Sequence, residues 1–242
     1  MTYTTSPPVL RIFDLPLSLA RRGGLRGRGL TNMDNNISKE KTFLRTKIWT
    51  LLEQKGVALF PLPIRDRIPN FVGSDQSANL VTTLPEWRNA KVIFSNPDYA
   101  QKKVRELALK EGKILIMASP RLKHGFFMVN PEEVKGREEF ASSIKGVFRY
   151  GEPASDTIKP DLIITGCVAV DQKGWRLGKG GGYGDREIKM VKEKFGKIPV
   201  VTTIHPLQMV EFVPHVEHDT KVDIIVTPEK IYRIQLEQEL LF

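Results

Sequence analysis

The chain has 242 residues, 40% hydrophobic and 27% charged, with a formal net charge of +9 and a pI of about 9.6. That composition can bury a core, which excludes wholesale disorder, and apolar runs such as "KILIMAS" and "VDIIVTP" reach strand length, far short of the ~20 residues that cross a bilayer. The single cysteine, Cys167, excludes an internal disulfide, has no zinc-ligand spacing around it, and reads as a core residue in a reducing cytoplasm.

Residues 1–32 differ from the rest. They carry Arg11, Arg21, Arg22, Arg26 and Arg28 against Asp14, a net of +4, so the body carries about +5. Arg11, Asp14 and Pro16 break the apolar stretch, so a secretory signal, which needs an unbroken ~7–15 apolar residues, does not fit. The segment reads as a leader or an over-extended start ahead of Met33, with one α/β domain over 33–242. A moderately basic body suits an anionic ligand such as a nucleotide. No RNP-like aromatic motif, helix-turn-helix pattern or zinc spacing supports nucleic acid.

From Lys39, "KEKTFLRTKIWTLLEQKG" places Leu44, Ile48 and Leu51/Leu52 at helical spacing with Gly56 as the stop. "VALFPLP" reads as a strand, "IRDRIPNFVGSDQSANLV" as a long loop into a short helix, and "AKVIFS" as a strand. "NPDYAQKKVRELALKEGK" predicts a helix with Asn96 as N-cap, Pro97 at N1 and Asp98 in the first turn, closing at Gly112. "ILIMAS" is a buried strand, and 121–160 shows no clear order. The strand "DLIITGCVAV" leads into the hairpin-like "DQKGW", a glycine-rich segment, a helix from about Tyr183 to Phe195, and the strands "IPVVTTI" and "VDIIVTP". This alternation predicts a three-layer α/β/α fold with a mainly parallel sheet.

The segment "RLGKGGGYGDRE", Arg176 to Glu187, combines five glycines with three basic and two acidic side chains. A glycine-rich bend ahead of a helix N-terminus offers bare N–H groups and the positive end of the helix dipole to a phosphate. Arg176 and Lys179 add positive charge. Asp185 would oppose an anion unless it holds a divalent metal that bridges phosphate oxygens. The segment matches neither common nucleotide fingerprint.

These residues resemble the R-L-G-x-G-x-G-Y-Y-D signature of the 5-formyltetrahydrofolate cyclo-ligase (5,10-methenyltetrahydrofolate synthetase) family. "KTFLR", Lys41 to Arg45, is similar to its K-x-x-L-R, and "FVPHVEHDTKVDIIVTP" to its C-terminal H-D-x-x-V-D-x-I-x-T, with order and spacing kept from about residue 39 to 231. The resemblance implies a sheet like that of ribose-phosphate isomerases and CoA transferases. It also implies ATP-dependent cyclisation of 5-formyltetrahydrofolate with magnesium, in the cytoplasm, on small-molecule substrates.

By the same resemblance, Lys41 and Arg45 contact ATP phosphates. Arg176, Leu177, Gly178, Lys179, Gly180, Gly181, Gly182, Tyr183 and Gly184 form the ATP loop. Lys179 and Asp185 are catalytic, Lys179 pairing with the transferred phosphoryl. Asp185 and Asp223 are the magnesium ligands, with Asp219 as the competitor for the second place. Tyr183 and Asp98 face the folate. His205 and His218 are either proton shuttles or loop hydrogen-bonders. Three features depart from the family: Tyr183-Gly184 replaces paired tyrosines, "NPDYAQKK" stands where a glutamate-bearing segment meets the pterin, and "TGCVAVD" replaces P-G-x-A-F-D. These changes resemble a divergent branch similar to methenyltetrahydrofolate-synthetase-domain proteins, and leave open another formyl or carboxyl substrate, or a non-enzymatic homologue that uses its basic surface and leader on nucleic acid.

Overall fold

The computed structural model describes residues 32–155 and 157–234. The leader assigned to 1–32 lies, but for Asn32, outside the described residues. Helix α1 (Asn32–Gln54) buries Ile48, Trp49 and Leu52, the stripe that the apolar spacing predicts, and the chain turns at Gly56, where φ is +65°. Two short antiparallel strands follow, β1 (Ala58–Leu59) and β2 (Asn70–Phe71), then helices α2 (Ser74–Thr82) and α3 (Pro85–Asn89). Strand β3 (Val92–Ser95), α4 (Lys102–Lys110) and β4 (Ile114–Ala118) make a parallel crossover.

The stretch 121–160 contains β5 (Phe126–Val129), α5 (Glu138–Ala141), α6 (Ile144–Tyr150) and β6 (Glu152–Pro153). Its strands extend the sheet edge, β5 antiparallel to β4 and β6 antiparallel to β5. The apolar run expected to be one strand is two, β7 (Leu162–Thr165) and β8 (Ala169–Asp171). It breaks at Gly166, where a Cβ would lie 2.6 Å from Ile68 and 2.7 Å from Gln101. There the chain leaves the main sheet and β8 joins a small sheet with β9 (Arg176–Leu177) and β11 (Met209–Val210). Helix α7 (Tyr183–Phe195), β10 (Val200–Thr203), β12 (Ile224–Val226) and β13 (Ile231–Arg233) complete the order.

The main sheet runs β13-β12-β10-β7-β3-β4-β5-β6, and its central five strands are parallel. Those strands are buried on both faces, which is why they read as continuous apolar runs. Ile93, Leu162, Ile164, Val201, Ile224 and Val226 point toward α2, α3 and α4. Phe94, Ile163, Val200 and Ile225 point the other way, against Ile188 and Val191 of α7. Helix α1 covers the small sheet through Ile48, Trp49 and Leu52. Among the described residues no helix is long and apolar enough to cross a membrane.

From β3 the chain builds one way to β4 and its neighbours; from β7 it builds the other way to β10 and β12. At such a switch point the loops leaving the carboxyl ends of adjacent strands diverge and open a crevice. The opposite edge is tied by a repeated device. Asp161 donates its N–H to Val92 O (2.9 Å) while its Oδ2 accepts from Lys91 N (2.8 Å) and Val92 N (2.9 Å). Asp223 does the same with Val200, both bonds 2.8 Å. Asp161→Ala, which leaves two strand-start N–H groups unpaired at the edge opposite the crevice, is expected to lower unfolding free energy by about 1–2 kcal/mol in urea; no change in the midpoint would refute this role.

Candidate active site

The crevice floor is made of the residues that leave the parallel strands. Asn96 follows β3, Gly166 follows β7, and Thr203 ends β10. Asn96 is not a helix cap. It is buried and donates from Nδ2 to Glu187, so a 3₁₀ turn (Tyr99–Gln101) intervenes and α4 begins only at Lys102. The 96–98 segment is held from below by Arg105, which is 1% exposed and donates to Asn96 O (2.6 Å), Asp98 O (3.0 Å) and Ser142 O (2.8 Å). Complete burial pushes the Arg105 pKa down to about 10, opposed by Asp98. Gln101 sits beside it, donating to Thr203 Oγ1 at 3.1 Å.

Over this floor lies the glycine segment. Gly180 (φ +113°) and Gly182 (φ +65°) take left-handed conformations that favour glycine, and Gly182 caps α7 with no side-chain hydrogen bond. Glycine at the cap thus gives the first N–H groups of α7 no side-chain acceptor of its own. Helix α1 docks onto the same loop. Its Arg45 donates from Nε to Gly178 O at 2.7 Å, and Lys41, one turn earlier, pairs with Asp219. Burial lowers the Arg45 pKa, with Asp219 and Asp185 opposing it.

Arg176, 4% exposed, is the hub. It donates to Gly166 O (3.4 Å), Thr220 Oγ1 (3.1 Å) and Asp185 Oδ1 (2.9 Å). Thr220 completes the knot by donating to Asp185 from its N–H (3.1 Å) and hydroxyl (2.8 Å). At the mouth, Lys179 bonds Asp98 at 2.7 Å. The structure therefore brings Lys41, Arg45, Arg176, Lys179, Asp185 and Asp98 to one crevice.

Two predicted residues do not join them. Asp223 spends its carboxylate on the Val200 N–H at the start of β12, the edge opposite the N-terminus of α7. The acid beside Asp185 is Asp219, adjacent to Thr220 and bonded to Lys41 and the Val216 N–H (2.7 Å). Leu177 is 2% exposed in the cluster under α1, and its carbonyl accepts from Val168 N (2.7 Å), so it is floor rather than ligand contact. Tyr183 folds back over Gly181, with the Arg186 guanidinium 4.5 Å from its ring centroid. The place of the second aromatic is taken by Gly184, where a Cβ would lie 2.9 Å from Arg176 Nη2.

His205 settles as a loop residue: its Nδ1 accepts from Leu207 N (3.2 Å) in a capping box with Gln208, and burial lowers its pKa. His218 is exposed. Cys167 is fully buried and its thiol is pushed up to about 11, in keeping with a core residue.

Sequence reasoning missed Glu187. It shares the buried stripe of α7 with Ile188 and Val191, and a glutamate on an apolar stripe is the signal that could have found it. Burial, and then Asp98, push its pKa up to about 8, against the pull of Arg176, Asn96 and Lys179. A buried acid keeps its proton to about pH 8, whereas in the unfolded chain it ionises near 4.5, so its contribution to stability falls as pH rises through that window. Glu187→Gln is therefore expected to match the wild type near pH 4 and to exceed it by a few kcal/mol, of order ~3, at pH 8. Parallel unfolding curves at the two pH values would refute this.

Residues 37–228 match the 5-formyltetrahydrofolate cyclo-ligase family. The chain is 35% identical over 211 residues to the methenyltetrahydrofolate synthase domain-containing protein of Bos taurus, covering 82% of this chain and 55% of that one. It thus spans about half the length of such relatives. It is 39% identical over 72 residues to the 5-formyltetrahydrofolate cyclo-ligase of Escherichia coli K12, 30% of this chain and 38% of that one. The NMR structure of Aquifex aeolicus 5,10-methenyltetrahydrofolate synthetase shares the fold, with a TM-score of 0.55 at 24% identity over 84% of this chain and 96% of that one. With the match running from α1 through the glycine segment to β12, the chain belongs to the 5-formyltetrahydrofolate cyclo-ligase family, in a branch similar to the methenyltetrahydrofolate synthase domain proteins.

Proposed function

We propose that this chain catalyses the ATP- and magnesium-dependent closure of 5-formyltetrahydrofolate to 5,10-methenyltetrahydrofolate, releasing ADP and phosphate. One observation carries the reading: four cations, Lys41, Arg45, Arg176 and Lys179, converge on an uncapped helix start above the switch point. That is the environment a polyphosphate requires. Three of the cations are held by carboxylates, Lys41 by Asp219, Arg176 by Asp185 and Lys179 by Asp98. Incoming phosphate that takes over Lys41 and Lys179 releases the Asp219 and Asp98 carboxylates. Cys167, buried and unpaired, is consistent with a reducing, cytoplasmic setting.

In this reaction the formyl oxygen bonds to the γ-phosphorus as the bond from phosphorus to the ADP oxygen breaks. The neighbouring nitrogen then attacks the formyl carbon and loses its proton, and phosphate departs with the oxygen and its electron pair. The protein's task is to position these groups and neutralise phosphoryl charge. Lys41 and Arg45 hold the triphosphate from α1. Lys179 pairs with the transferred phosphoryl. Arg176, too buried to swing, orients Asp185. Asp185 and Asp219 supply the hard oxygen donors that would hold magnesium, a cation that takes one or two carboxylates together with phosphate oxygens and offsets their charge.

The bare Gly184 supports a second reading, the same ATP chemistry on another formyl or carboxyl substrate. Purified protein with 5-formyltetrahydrofolate, ATP and magnesium separates the two by the absorbance of the methenyl product. Turnover supports the first; nucleotide binding without turnover supports the second. In the first case Lys179→Ala, Asp185→Asn and Asp219→Asn are each expected to lower kcat by ~100-fold or more. Asp223→Asn is expected to cost stability while leaving kcat within about two-fold. The reverse pattern for positions 219 and 223 would overturn the assignment of the acids.

A further inference from the structure

Asp171, at the end of β8, is 1% exposed, and no step above uses it. A buried carboxylate is costly unless its oxygens meet donors. Here three backbone N–H groups meet it. Its Oδ1 accepts from Lys173 N (2.9 Å) and Trp175 N (3.0 Å), and its Oδ2 from Val213 N (3.0 Å). The first two bonds close the bend between β8 and β9, which Asp171 also ties by donating its own N–H to Trp175 O (3.0 Å). The third reaches 42 residues along the chain, to the start of the stretch that carries Asp219 and Thr220.

That stretch hangs on the bend at both ends. Beyond Val213, the His215 ring lies on the Trp175 ring, 3.9 Å between centroids and 13° between planes, and Lys221 Nζ is 4.5 Å from the Trp175 centroid. Val222 then donates to Gly174 O at 2.8 Å. The approach is so close that a Cβ on Gly174 (φ +84°) would lie 2.4 Å from Val222 O. Between these anchors the chain closes on itself: Asp219 donates its N–H to Val216 O (3.0 Å), and its Oδ2 accepts from Val216 N (2.7 Å). Lys41 bonds the same Oδ2, so Oδ1 takes neither bond. The next residue, Thr220, donates to Asp185, and the bend runs straight into Arg176, which also donates to Asp185. One buried carboxylate thus joins the two segments that place Asp219 and Asp185.

We infer that Asp171 is a positioning residue for the divalent cation: by fixing the 211–221 stretch to the bend before Arg176, it sets where Asp219 stands relative to Asp185. The inference rests on the magnesium part of the cyclo-ligase reading and goes beyond the two acids named there. Magnesium demands near-ideal octahedral geometry, so a displaced carboxylate loses its grip on the ion. Groups that orient metal ligands without touching the metal typically contribute ~10–100-fold to affinity. An asparagine at 171 can keep the two bonds that close the bend, but its N–H₂ then meets the Val213 N–H, donor against donor, and the tie to the stretch is lost.

The test is Asp171→Asn in the full chain, titrated calorimetrically with the β,γ-methylene analogue of ATP, once in magnesium and once in EDTA. Expected are a Kd in EDTA within about two-fold of wild type and a Kd in magnesium raised about ten-fold. Asp161→Ala, which frees the start of β3 but leaves this stretch alone, is expected to lower Tm without moving either Kd. If wild type binds more tightly in magnesium and Asp171→Asn keeps that advantage, or loses affinity equally in both buffers, the inference is overturned and the cyclo-ligase reading stands. If magnesium gives wild type no advantage, the metal reading falls and takes the inference with it. Should Asp171→Asn fail to fold, His215→Ala decides. It removes the stack on Trp175 and is expected to raise the Kd in magnesium about three-fold while leaving that in EDTA unchanged; an unchanged Kd in magnesium overturns the inference.

Discussion

The Arg176 guanidinium is where four parts of the fold meet: the end of β7 at Gly166, the small sheet that carries Arg176 itself, the start of α7 at Asp185, and the 211–221 stretch through Thr220. An arginine this buried is tolerated only if its charge and donors are matched, and here a carboxylate, a hydroxyl and a carbonyl do so. A side chain at 184 would need the guanidinium tip to shift, since a Cβ there lies 2.9 Å from Arg176 Nη2.

Around that hub the charges are balanced before any ligand arrives. Lys41 with Asp219 and Lys179 with Asp98 hold the outer cations in neutral pairs, and Arg45 lies within the field of two acids. Such pairing limits self-repulsion in a cleft where four cations converge. In the proposed reaction, binding is an exchange of partners: phosphate oxygens replace carboxylates on the lysines, and Asp219, released from Lys41, becomes free to hold a hard cation. Glu187 fits the same logic differently. No cation pairs with it among the described residues, burial keeps it protonated against the pull of Arg176 and Lys179, and as a neutral group it can sit at the floor beside Asn96.

Position in the sheet accounts for the crevice itself. The reversal between β3 and β7 parts the loops at their carboxyl ends, and Arg105 then holds the backbone of 96–98 open from below. The Asp161 and Asp223 bonds secure the opposite edge. The candidate site and these tethers therefore occupy opposite ends of the same strands.

Much of this was legible in the chain. The 3–4 spacing of Ile48 and Leu52, the apolar runs of the parallel strands, the helix from Tyr183 to Phe195 and the glycine cradle all follow from local periodicity and backbone preference. Lys41 and Arg45, one helical turn apart, had to share a face. Tertiary structure alone decided the rest. The run 161–170 divides between two sheets because Gln101 and Ile68 crowd Gly166, residues distant in sequence. Asn96 looks like a helix cap locally but is claimed by Glu187, 91 residues away. Asp219 and Asp223 are indistinguishable in a string of letters. Strand pairing with β10 takes Asp223 to the far edge, and Lys41 of α1 finds Asp219 across 178 residues. Local sequence sets the torsions and the side a residue faces; which carboxylate meets which cation depends on contacts that only the folded chain makes.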